Sequence, residues 1–300
     1  MLAAGTLAAC GSGAQTVGGE AGGPVVVATT TQVGDLVRSI AGRRAGVRQI
    51  LSANSDPHSY EPRPSDVRAV TGAKLVVRSG GDLDGWLGGV LRNAGSDATT
   101  VDLIDAVHTR RASGAVDPHW WQDPRNAEIA VARISDALAA ADPAGRLTYA
   151  TNAALYLTRL RRLDRAIAAC MDAIPRRQRR LVTDHDALGY YAARYGIEVI
   201  GTVIPALSTQ AQASAGAVAR LVRTIRAAGV STIFAESSGN AKLAGAIARS
   251  AGASVGPRLY ADSLGPKGTA GETYLGSLRA NTLALTAGFT RGRTRCDLPA

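Results

Sequence analysis

Asp142-Pro143-Ala144-Gly145-Arg146-Leu147-Thr148-Tyr149-Ala150-Thr151-Asn152-Ala153-Ala154-Leu155-Tyr156-Leu157-Thr158-Arg159-Leu160-Arg161-Arg162-Leu163-Asp164-Arg165-Ala166-Ile167-Ala168-Ala169-Cys170-Met171-Asp172-Ala173-Ile174-Pro175 decides how the rest of the chain is read. Asp142 is suited to cap the first amides of a helix, Pro143 fits a first turn, and the ring of Pro175 cannot continue one. Leu147, Ala150, Ala154, Leu157, Leu160, Leu163, Ile167, Met171 and Ile174 recur at steps of three and four, which is an amphipathic stripe. A helix over 142–175 reaches roughly 45 Å, longer than a small domain is wide. The spacing therefore predicts a spine, with a folded body before it (25–141) and another after it (176–300).

The 300 residues, 46% of them hydrophobic, are enough to bury two ordinary cores. No apolar run approaches the roughly 18 to 20 residues that span a bilayer. The net charge of +10 rests on arginine, because Lys74, Lys242 and Lys267 are the only lysines. A solvated surface is the expected reading: Arg159, Arg161, Arg162 and Arg165 fall beside the stripe, and Arg176, Arg177, Arg179 and Arg180 in the turn after it. Aromatic residues make up only 4%, too few for nucleic-acid stacking platforms.

At the beginning, Leu7-Ala8-Ala9-Cys10 resembles the lipobox of a bacterial export signal, with Cys10 the lipidation candidate. The Gly- and Ser-rich run 11–23 then reads as a flexible tether, so that residues 1–24 lie outside the folded bodies. With Cys10 set aside, Cys170 and Cys296 form an even pair for which an oxidising compartment permits a disulfide.

After the tether, strands are expected at 24–31, 47–51, 74–79 and 99–103, and helices at 33–41, 66–72 (capped by Ser65), 86–91 and 126–140. Beyond the spine the rhythm returns, with strands at 180–183, 197–202, 231–235 and 255–260 and helices at 187–195, 213–228, 241–251 and 274–287. The fold class is α/β: two lobes, each a mostly parallel sheet with flanking helices, bridged by one long helix.

The placement of the histidines carries the chemistry. In open parallel sheets ligands bind beyond the carboxyl ends of the strands. His58, His119 and His185 each follow a strand, and Asp262 ends one, two residues from each side of the spine. A single loop histidine is usually a surface residue, but three imidazoles and one carboxylate make the four-coordinate set that a divalent cation such as zinc prefers.

These residues also carry a resemblance. Asn54-Ser55-Asp56-Pro57-His58-Ser59-Tyr60-Glu61-Pro62, Asp117-Pro118-His119-Trp120-Trp121-Gln122-Asp123-Pro124, Thr183-Asp184-His185-Asp186-Ala187-Leu188-Gly189-Tyr190-Tyr191 and Leu259-Tyr260-Ala261-Asp262-Ser263-Leu264-Gly265 are similar to the ligand motifs of the zinc- and manganese-binding receptors of bacterial ABC importers. Asp82-Leu83-Asp84-Gly85-Trp86-Leu87 and Ile233-Phe234-Ala235-Glu236-Ser237 match further family segments. The resemblance implies one divalent metal ion held in the cleft between the lobes by His58, His119, His185 and Asp262. As partners it implies a membrane permease with its ATPase. The protein itself is expected to be a monomer, lipid-anchored at the outer face of the cytoplasmic membrane or periplasmic.

In manganese-preferring relatives a carboxylate stands where His185 stands here, so the imidazole tilts the expectation to Zn2+, with Mn2+ as the alternative. Glu236 is a candidate to orient a ligating imidazole from behind, with a solvated glutamate as the bland reading. Tyr60, Trp120 and Trp121 are candidates to shield the ion or merely to pack; His108, in a short basic loop, is expected at the surface. A zinc hydrolase with Glu236 or Asp186 as base is the competing class, disfavoured because four protein ligands leave no position for water. A nucleic-acid binder lacks any groove-reading motif, and the clustered imidazoles argue against an organic-solute receptor. A stiff single crossing predicts only small lobe shifts when the ion leaves, testable by comparing solution scattering with and without metal.

Overall fold

The computed structural model describes residues 16–17, 23–239 and 241–299. Cys10 and its lipobox lie outside them, as does most of the expected tether, of which Thr16–Val17 forms β1. The first body continues with β2 (Val25–Ala28), α1 (Thr31–Ala41), β3 (Gly46–Gln49), α2 (Pro64–Val70), β4 (Leu75–Arg78), α3 (Leu87–Ala94) and β5 (Thr99–Asp102). A small hairpin, β6 (Arg111–Ala112) with β7 (Ala115–Val116), lies between β5 and α4 (Pro124–Ala141). The sheet order is β1-β3-β2-β4-β5; β2 to β5 run parallel, and β1 pairs antiparallel with β3 at the edge.

Strand alternation divides the apolar residues between two helical layers. Val26 and Ala28 of β2 and Leu75 and Val77 of β4 face the cluster that contains α1 and α4. Their neighbours Val27 and Val76 point the other way, to Val70, Leu87 and Val90 of α2 and α3. A continuous apolar run is thus what a strand covered on both faces requires. At α2 the expected cap is corrected. Pro64 takes the first helical position, and the carboxylate of Asp66, not Ser65, accepts from the Arg63 amide at 2.7 Å.

The long helix is α5 (Arg146–Asp172), 27 residues and about 40 Å. It starts later than expected, because Pro143–Gly145 makes a separate 3-10 turn. Asp142 does not cap α5: its carboxylate takes Arg44 at 2.7 Å and the Tyr149 hydroxyl at 2.8 Å instead. The expected stripe holds from Leu160 through Ile174 but fails at the start. Leu147 is 80% exposed, and Tyr149, Ala153 and Tyr156 form the buried face there. Two tyrosines offer more apolar surface than Leu147, Ala150 and Ala154, and they rotate the buried face accordingly.

After α5 come β8 (Arg180–Thr183), α6 (Gly189–Tyr195), β9 (Glu198–Thr202), α7 (Ala215–Ala228), β10 (Thr232–Ile233), α8 (Ala241–Ala251), β11 (Ser254–Val255) and α9 (Tyr274–Thr290). β8 pairs parallel with β9 and β10 with β11, and Phe234 N donates to Val182 O at 2.9 Å across the middle. The strand expected over 255–260 breaks at Gly256-Pro257, since proline has no amide to offer the ladder, and resumes as a bridge between Leu259 and Glu236. Leu181 faces α5, α6 and α9, whereas Val182 faces Leu221 and Ile225 of α7 and Ala244 and Ile247 of α8. One apolar cluster therefore runs from the first sheet through α5 into the second.

Cys170 of α5 is joined to Cys296 beyond α9 by a disulfide, tying the C-terminal tail to the spine. Arg179, expected at the surface, is buried: its guanidinium donates to the carbonyls of Ile174 and Tyr195 and so satisfies backbone at the end of α5. Among the described residues no helix is long and apolar enough to cross a membrane.

Candidate metal centre

The four residues singled out in the sequence meet at one point: a nitrogen of His58, His119 and His185 and an oxygen of Asp262 all lie within 4.8 Å of one another. Each is delivered by a short loop at a strand end. His58 sits in the 3-10 turn Pro57–Ser59, where Asp56 Oδ1 accepts from its amide at 2.9 Å. His119 precedes the turn Trp120–Gln122 in the same way, with its amide donating to Asp117 Oδ1 at 3.0 Å. His185 follows β8, and Asp262 follows the Leu259 bridge.

The donor atoms are spaced as a coordination shell. His119 Nε2 is 3.4 Å from His58 Nε2 and 3.3 Å from Asp262 Oδ1, while Asp262 Oδ2 is 3.2 Å from His185 Nε2 and 3.5 Å from His58 Nε2. A tetrahedron of ligands about 2.0 to 2.1 Å from a zinc ion has edges of about 3.3 to 3.4 Å. His185 Nε2 and both oxygens of Asp262 are buried without a hydrogen-bond partner. Buried polar atoms are normally satisfied, so three orphans converging with two further imidazoles fit a cation.

Carboxylates stand behind two of the imidazoles. His119 Nδ1 lies 2.8 Å from Asp117 Oδ1, and His185 Nδ1 lies 2.9 Å from Glu236 Oε1, which presents Nε2 of each ring to the centre. Glu236 is buried and not solvated, and its own amide donates to Asp184 Oδ2 at 2.8 Å. Asp117 in turn receives Arg110 Nη1 at 3.2 Å, and that guanidinium occupies the space where a Cβ on Gly189 would sit.

Burial opposes charge on His119 and His185, but the Asp117 carboxylate that accepts from the His119 ring together with the nearby charge of Asp262 in the first case, and the charges of Asp262 and Glu236 in the second, hold both imidazoles above their ordinary range. Burial instead pushes His58, which has no carboxylate behind it, down to about 4. Burial alone would lift Asp262; the neighbouring imidazoles His185 and His119 overcome it and hold the carboxyl well below its usual range.

The flanking candidates divide. The Trp121 ring packs edge-on to His119 at 5.5 Å and walls the site. Trp120 turns away to Ser79, and Tyr60 bonds Asp66 and packs at a tilt against Trp86. His108 is exposed and apart from the cluster. Sequence reasoning missed Asp117, although the tripeptide Asp-Pro-His occurs twice, at 56–58 and 117–119. It also missed the support of Asp262. The Ala261 carbonyl accepts from Trp121 Nε1 at 3.0 Å, Gln122 Nε2 at 2.9 Å and Gln32 Nε2 at 3.3 Å, all from the first body.

Several known proteins are similar to this chain. The manganese-binding lipoprotein MntA of Halalkalibacterium halodurans is 30% identical over 290 residues, covering 95% of both chains. The iron ABC transporter substrate-binding lipoprotein MtsA of Streptococcus pyogenes serotype M1 is 27% identical, covering 89% of both. The solved periplasmic zinc binding protein TroA of Treponema pallidum superposes with a TM-score of 0.85 at 27% identity, covering 89% of this chain and 99% of that one. A family model described as zinc-uptake complex component A, periplasmic, matches residues 26–288, and the chain belongs to that family.

Proposed function

We propose that this protein is an extracytoplasmic receptor that takes up one Zn2+ ion between its two bodies and hands it to the permease of an ABC importer. The observation that carries the reading is the convergence of His58, His119, His185 and Asp262, with donor separations of 3.2 to 3.5 Å and orphaned buried atoms. Family membership supports the receptor class, and three imidazoles to one carboxylate support zinc. The ion is cargo. Four protein donors leave no place for an activated water, and Glu236, engaged with His185, is not free to act as a base, so hydrolysis is disfavoured. Lipid anchoring at Cys10 and a monomeric state belong to the same proposal.

Mn2+ is the second reading, favoured by two observations: both Asp262 oxygens face the centre, which offers a harder, five-donor shell, and a manganese-binding lipoprotein is among the relatives. Competition between zinc and manganese for the purified protein, with elemental analysis of material from its native host, decides between them. The His185→Ala variant is expected to bind zinc at least about tenfold more weakly. Stoichiometric zinc at unchanged affinity in that variant would remove the assignment.

A further inference from the structure

At the opposite pole from the metal centre, where β8 and β10 begin, lies a cavity of about 190 Å³ lined by Arg177, Arg180, Arg291 and Arg293 together with Gln178 and Thr232. No carboxylate lines it. Arg180 is partly engaged, with Glu198 at 3.4 Å and the Ala228 carbonyl, but Arg177, Arg291 and Arg293 make no side-chain ion pair or hydrogen bond among the described residues. The C-terminal ends of α7 and α9 point here, and Gly229 and Arg291, their left-handed cap residues, line the cavity. Each helix end contributes roughly half a negative charge, too little to balance four guanidinium groups even with Glu198 added. Four guanidinium forks around one cavity, with hydroxyl and amide neighbours, make a cradle for a tetrahedral oxyanion.

We propose that this cavity binds a phosphate group. A second, less polar recess of about 600 Å³, lined in part by Ala253, Pro257 and Ala287, adjoins it and shares Thr232, Gly288 and Arg291, so the phosphate has room to carry an organic substituent. Free phosphate and the phosphodiester of an anionic lipid headgroup offer the same chemistry. Arg180 begins the strand that His185 follows, which separates the cavity from the metal centre by on the order of 15 Å. Occupancy of one site therefore leaves the other accessible.

The test uses the zinc-loaded full chain at physiological salt, with two arms: calorimetric titration with inorganic phosphate, and co-sedimentation with phosphatidylcholine vesicles with and without phosphatidylglycerol. In at least one arm binding is expected, and the double variant Arg291→Asn with Arg293→Gln should weaken it at least about tenfold, with zinc affinity unchanged. Asparagine tolerates the positive φ of 53° at position 291. The control, Arg162→Ser with Arg165→Ser on the exposed side of α5, removes the same charge elsewhere and should bind as the parent does. Binding to phosphate identifies the free anion; binding only to phosphatidylglycerol vesicles identifies the headgroup. Absence of binding in both arms, insensitivity to the cavity variant, or equal loss in the control overturns the proposal. Should the double variant not fold, Arg177→Gln probes the same cavity from another segment.

Discussion

The indole N–H of Trp121 donates at 3.0 Å to the carbonyl of Ala261, one residue before the proposed ligand Asp262. With Gln32 and Gln122 on the same oxygen, the first body grips the segment that presents a carboxylate belonging, in chain order, to the second. Asp262 lies 3.2 to 3.5 Å from the facing nitrogens of His58, His119 and His185, and His185 is held from the far side by Glu236.

Trp121→Phe removes this donor and keeps the ring that walls His119. One buried hydrogen bond is worth about 1 kcal/mol, so zinc affinity should fall about fivefold, read by competition with a chromogenic chelator. An unchanged affinity would mean that Gln32 and Gln122 suffice to hold Ala261.

Asp117→Asn and Glu236→Gln keep the size of the side chains behind His119 and His185 but remove their charge. Each should weaken zinc binding by about 10- to 100-fold while leaving the stoichiometry and the far-ultraviolet circular dichroism intact. The same measurement on Asp56→Asn is expected to show a smaller loss, because Asp56 bonds the amide of His58 and the Thr209 hydroxyl, not the ring.

The pH dependence follows from which imidazoles carry protons in the empty site. His119 and His185 are held above the ordinary histidine range, so zinc must displace protons from them, whereas His58, at about 4, is already neutral. Affinity should fall as pH drops from 7.5 to 5.5, with between about one and two protons released per ion when calorimetry is compared across buffers. In the empty protein these two raised groups contribute stability below their unfolded value near 6.5, and it is lost as pH rises through their folded values. The melting-temperature gain on adding zinc should accordingly grow between about pH 6 and 8; a constant gain with no proton release contradicts the charge assignment.

Cys170 and Cys296 are 126 residues apart, and joining them restricts the unfolded chain. Reduction, or Cys170→Ser with Cys296→Ser, should lower stability by about 2 to 5 kcal/mol in denaturant titrations. The zinc stoichiometry should not change, since neither sulfur is part of the donor set.

The α/β rhythm was legible because several strands are short runs rich in Val and Leu after a turn, as at 25–28, 75–78 and 180–183. The long helix was legible from its apolar repeat, but the identity of its buried face was not: Tyr149 and Tyr156, polar at their tips, displaced Leu147 from the core. Arg179 was unreadable for a related reason, since the two carbonyls that satisfy it, of Ile174 and Tyr195, come together only when α5 and α6 pack.

The sequence by itself determined the element order, the α/β class and the four residues with metal-ligand chemistry, because hydrophobic period and residue type are local properties. Tertiary structure alone decided the spacing of their donor atoms, the pairing of Asp117 with His119 and of Glu236 with His185, and the clamp of Trp121, Gln32 and Gln122 on Ala261. Trp121 and Ala261 are 140 residues apart, and no spacing rule connects them; only the packing of two sheets against one helix brings that donor to that acceptor.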